Sequence, residues 1–120
     1  MKLKSMMFIA VAGALTACAS PSDLRGRDVT FAASSLKSNA SQAVNCVANG
    51  WQKSTQQAVA VNAYDNGYTA VAQSKTLFGT NTDFVIDAKN AKTGGAVFQM
   101  WSTMSKDSTD KLIGMIQPCL

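Results

Sequence analysis

The chain has 120 residues, of which 47% are hydrophobic and 15% charged, with a formal net charge of +4. That balance excludes a disordered polyelectrolyte, and the length suits one small domain and no second one. Histidine and glutamate are absent, so the usual general bases are missing and only aspartates remain for acid–base chemistry.

The N-terminus reads as an address, not as part of a fold. Lys2 and Lys4 make a positive start, Met6 to Ala14 an uncharged apolar run, and Leu15-Thr16-Ala17-Cys18 closes it with small residues ahead of a cysteine. The run is too short for a membrane span, which needs roughly 20 apolar residues, and polar Ser20, Ser22 and Asp23 follow at once. Residues 1–17 are therefore expected to be a removable signal peptide.

Leu15-Thr16-Ala17-Cys18 resembles the lipobox of bacterial lipoproteins, in which a large aliphatic residue and two small ones precede an acylated cysteine. The resemblance covers about the first 20 residues. It implies cleavage before Cys18, a diacylglyceryl thioether on its sulfur and an acyl amide on the new terminus. The step needs a thiol, the one side chain there that combines strong nucleophilicity with small size. Each buried methylene adds about 0.8 kcal/mol of membrane affinity, so several acyl chains on one residue anchor it firmly. Ala19, rather than the aspartate that resembles an inner-membrane retention signal, follows Cys18; the expected place is the periplasmic face of the outer membrane. An ordinary secretory signal cut after Ala17, or an apolar core helix, are the competing readings.

Loss of residues 1–17 leaves nine basic residues against seven aspartates, a net charge of +2. Those nine are dispersed and lack the clustered basic face with interleaved aromatics that nucleic acid requires, so nucleic acid is not an expected partner. With Cys18 committed to lipid, Cys46 and Cys119 remain as a pair in an oxidising compartment, and a disulfide between them is expected. No metal is expected, because histidine and C-x-x-C spacing are both missing, and no cofactor motif appears.

In chain order, residues 18–27 are rich in Ser, Pro, Asp, Arg and Gly and read as a lipidated tether, with a single domain over 28–120. Val29 and Phe31 suggest a short strand. Ser34-Ser35 offers an N-cap to a helix whose stripe is Leu36, Ala40, Ala43, Val44, Val47 and Trp51, ending near Asn49-Gly50. The period then becomes two: Val59, Val61 and Ala63 lead to Asp65-Asn66-Gly67-Tyr68, where Asn-Gly supplies the positive φ of a tight turn. The return strand, Tyr68 to Ser74, passes through Gly79 to a third, Thr82 to Lys89. A loop with Asn90, Thr93, Gly94 and Gly95 precedes a fourth, Ala96 to Thr103. Asp107 or Ser108 caps a last helix carrying Leu112, Ile113, Met115 and Ile116, stopped by Pro118.

This order predicts an α+β fold: an antiparallel four-stranded sheet, open to a fifth short strand, with two helices on one face. The cysteine and tryptophan of the first helix, the Gly-Tyr hairpin and the terminal cysteine resemble, in outline, small uncharacterised proteobacterial lipoproteins. That resemblance implies no activity.

Four further groups of residues have side chains or loops capable of chemistry. Asp83 and Asp87 could share one strand face, though solvated carboxylates are the commoner outcome. Ser34-Ser35 beside Lys37 could hold a Ser-Lys nucleophile, against the far commoner helix cap. The Thr93-Gly94-Gly95 loop lacks phosphate-loop spacing. Met100, Met104 and Met115 could bind copper, but filling a core is their routine use.

The expected function is a non-enzymatic interaction or binding module tethered to the envelope; the alternative is a small periplasmic hydrolase or enzyme inhibitor with an unrecognised site. Registering the hairpin on Asn66-Gly67 sets Tyr64 opposite Thr69 and Asn62 opposite Val71. The face turned away from the helices then carries Tyr64, Val71, Val85, Val97 and Trp101 among polar residues, which suits an envelope protein or glycan partner.

Overall fold

The computed structural model describes residues 18–92 and 94–120; the signal peptide expected over residues 1–17 and Thr93 of the second loop lie outside them. Among the described residues a short helix α1 (Pro21–Arg25) precedes strand β1 (Phe31–Ser35) and helix α2 (Ala40–Thr55). Strands β2 (Val59–Tyr64), β3 (Gly67–Thr76), β4 (Gly79–Asn90) and β5 (Ala96–Ser102) follow. Helix α3 (Lys106–Ile116) and a 3-10 turn (Gln117–Cys119) end the chain. The strands form one antiparallel sheet in the order β1-β5-β4-β3-β2. This is the expected α+β architecture, with the fifth strand present as β1 on the outer edge of β5.

The period-two pattern puts Ala70, Ala72, Phe84, Ile86, Phe98 and Met100 on one face, where α2 and α3 cover them. The stripe of α2 is mostly small, with Ala40, Ala43, Val44, Val47 and Ala48 buried, so the helix lies close to the sheet. Trp51 ends the stripe edge-on to Phe84, ring centroids 5.4 Å apart, and its indole N–H donates to Gln57 Oε1 at 2.8 Å. From α3, Leu112 and Ile116 close the other half of this core. Cys46 and Cys119 are disulfide-bonded with Cα atoms 5.7 Å apart, tying α2 to the chain's end across 73 residues of sequence.

Three local expectations shift. The cap of α2 is Asn39 with Gln42 in a reciprocal capping box, while Ser35 stays in β1 and its hydroxyl accepts from the N–H of Lys37 and Ser38. Leu36, expected on the helix stripe, is therefore 85% exposed in the connecting loop. The helix also runs through Asn49-Gly50 to Thr55, because Trp51, the next residue, is held in the core.

The first hairpin turns on Asp65-Asn66, both at positive φ, not on Asn66-Gly67. Tyr64 consequently faces Gly67 and Asn62 faces Thr69, two residues from the expected register. A two-residue shift preserves strand parity, so the apolar residues keep the faces expected of them, while Asp83, left unpaired at the bulge opposite Ala72/Gln73, turns to Gln57 and Ser74. Gly67 serves a different need: a Cβ there would stand 1.9 Å from the Ala88 carbonyl oxygen on β4.

Candidate functional site

The residues after Cys18 are folded against the sheet, which corrects the expectation of a tether over 18–27. Ala19 is buried; its N–H donates to Asn81 Oδ1 at 3.0 Å and its carbonyl accepts from Thr82 N at 2.8 Å. Ser20 and Asp23 then form a capping box around Pro21, the residue whose fixed φ suits the first helical position. Backbone and side-chain hydrogen bonds from Ser20 lower the Asp23 carboxyl below its ordinary value of 3.8. The helix turns Leu24 fully inward, a burial contributing about 2 kcal/mol.

What Leu24 covers is the sheet face that was expected to be open. Ala19, Leu24, Val85 and Trp101 form a second small core with Val71 packed at its margin. Trp101 is 6% exposed, and its indole N–H donates to the Arg27 carbonyl at 3.1 Å. Of the five residues expected on a partner surface, Val85 and Trp101 are thus buried by the chain itself and Val71 is half-buried. Tyr64, 40% exposed, and Val97, 50% exposed, keep solvent access. The open five-residue surface does not exist, because an apolar sheet face this large is covered at a gain in free energy whenever chain is within reach. The signal was present in Ser20-Pro21-Ser22-Asp23-Leu24, a cap, a first-turn proline, an acidic N3 and an apolar residue in succession.

Arg25 locks this layer. Its Nε and Nη2 donate to the two Asp87 oxygens at 2.8 and 3.0 Å, Nη2 also donates to Thr69 Oγ1 at 3.0 Å, and the guanidinium lies 4.0 Å from the Tyr64 ring centroid. The hydrogen bond to Asp87 is the main cause of a raised Arg25 pKa. Asp83 belongs to another set, accepting from Gln57 Nε2, Ser74 Oγ and Asn81 Nδ2 beside a bulge between Ala72 and Gln73. Asp83 and Asp87 therefore do not combine as an acid–base pair. Ser35 is engaged with backbone N–H groups, and Met100, Met104 and Met115 lie in or against the main core.

Two ends of the sheet differ in character. At one, Cys18 is half-buried with Sγ 3.6 Å from Thr76 Oγ1, beside the β3–β4 turn, where Leu77 and Phe78 are 99% and 75% exposed. The sequence signal for this pair is Leu-Phe where turn residues belong. At the other end, an open groove of about 460 Å³ is lined by Ala63 through Tyr68 and Asn90. The ten residues of β3 separate the two by about 30 Å. Among the described residues no helix is long and apolar enough to cross a membrane. Comparison with family models, with curated proteins and with solved structures finds no match to this chain.

Proposed function

We propose that this chain is a lipid-anchored envelope protein, attached through Cys18 to the periplasmic face of the outer membrane, whose domain is a non-enzymatic binding module for an envelope protein or glycan. The observation that carries the reading is the polarity of the sheet: the cysteine of the Leu15-Thr16-Ala17-Cys18 motif sits at one end and the open groove at the other. An anchor at the first end turns the groove toward the periplasm. Asp23, Asp65, Asp83, Asp87 and Asp110, five of the seven aspartates, are engaged in hydrogen bonds or ion pairs that hold the fold. That use of the acidic residues supports a binding role over acid–base catalysis. Tyr64 and Tyr68 both line the groove, Tyr64 with its ring against the Arg25 guanidinium and Tyr68 packed on the main core, and their phenol hydroxyls can hydrogen-bond a sugar or a protein.

The reading is tested in the producing cell by placing a photo-crosslinking side chain at Tyr64 and sedimenting the protein with purified peptidoglycan. Adducts at Tyr64, or co-sedimentation that is lost in a folded Tyr68→Ala variant, support it. A folded wild-type protein that yields neither contradicts it.

A further inference from the structure

We infer that the β3–β4 hairpin tip, Leu77-Phe78, is a membrane-inserting wedge that works beside the acyl chains on Cys18; the inference rests on the proposal that Cys18 carries lipid. The two features are joined by contact, since Cys18 Sγ lies 3.6 Å from the Oγ1 of Thr76, the residue preceding Leu77. A lipid attached to that sulfur enters the bilayer within one residue of the tip. Cys18 cannot drift from it, because Ala19 is hydrogen-bonded to Asn81 and Thr82 near the start of β4 and is buried.

The tip has the composition and stiffness a wedge requires. Leu77 and Phe78 are 99% and 75% exposed, so the fold covers little of either, and large apolar side chains held together in water mark a surface suited to an apolar partner. The turn is held rigid: Thr76 Oγ1 accepts from Phe78 N and donates to the Gly79 carbonyl, and Gly79 takes the positive φ of 130° that closes the loop. Between Asp65 and Asp83 the chain has no carboxylate and one cation, Lys75, so the approach to lipid headgroups meets no like charge. A phenylalanine and a leucine at the interface with a lysine behind them match the depth profile of interfacial anchors. With two attachment points, the acyl chains and the tip, the domain stands on the bilayer in a fixed orientation with its groove about 30 Å away.

The test uses the full lipidated protein extracted from its own membrane and reconstituted into vesicles of phosphatidylethanolamine and phosphatidylglycerol, with or without brominated acyl chains. The emission added by Phe78→Trp, taken against the unsubstituted protein, should shift to the blue and lose intensity in brominated vesicles. Leu36→Trp, an exposed site at the opposite end of the sheet, should emit as in water and ignore bromination. Water-like, unquenched emission from Phe78→Trp, in protein whose mass shows lipid on Cys18, overturns the wedge and leaves the anchor standing. A mass without lipid on Cys18 overturns the anchor, and the wedge with it.

Discussion

Arg25 and Asp87 meet side-on across 62 residues of sequence, two N–H groups of the guanidinium each donating to one carboxylate oxygen of a residue that is 7% exposed. The pair bolts the segment following Cys18 to the central strand of the sheet. Removing one partner strands a buried charge, which costs more than the pair itself contributes. Because Arg25 is partly open to water, the loss for Arg25→Ala is expected at about 2 kcal/mol. Urea denaturation should show it. The Arg25→Ala, Asp87→Ala double variant should lose less than the sum of the two single variants, and strict additivity would contradict the coupling.

Leu24→Ala should open the second core. Deleting a fully buried leucine costs about 2–4 kcal/mol, and here the void lies directly over Trp101. The expected readout is a red shift of tryptophan emission and new access of iodide to one indole, with Trp51 still protected in the main core. Unchanged emission in a folded variant would show that α1 is not what covers Trp101.

Reduction of the Cys46–Cys119 disulfide should lower stability by about 4 kcal/mol on the chain-entropy estimate for a loop of this length. Cys46 stands on the exposed side of α2, so a reductant should reach the bond without prior unfolding. Thiol alkylation of native protein with and without reductant, followed by urea melts, measures both statements; free thiols in protein alkylated directly in the producing cell would contradict the pairing.

The Asp23 carboxyl is held below its ordinary value by the Ser20 N–H and hydroxyl. A depressed folded-state pKa adds stability above the unfolded value and loses it as pH falls through the folded one. The acid limb below about pH 4 should therefore be shallower in Asp23→Asn than in the wild type, and identical limbs would show that the capping box is not formed in solution.

Much of this architecture was legible because long segments keep one period. The alternation of Val59, Val61 and Ala63, and of Phe84, Ile86 and Ala88, sorts residues between faces even though the hairpin register is two residues off. Register escaped because Asp65 and Asn66 both tolerate positive φ, and Gly67 is needed for a close approach to Ala88 that no local pattern reveals. Helix α1 escaped because five residues are too few for periodicity, leaving only its cap. The second face was read correctly in membership and wrongly in exposure. Parity says which side Trp101 takes, while what lies over it depends on where the distant segment Ala19–Arg27 returns.

The state of Cys18 decides whether the domain is anchored. Intact and peptide mass spectrometry of the protein extracted from the membrane of its own cell should give a mature chain beginning at Cys18, its sulfur carrying a diacylglyceryl group and its amine an acyl chain. Cys18→Ala should retain the uncleaved signal or appear in the soluble fraction. A mature terminus with a free Cys18 thiol, or a chain still beginning at Met1 with no lipid, would contradict the anchor.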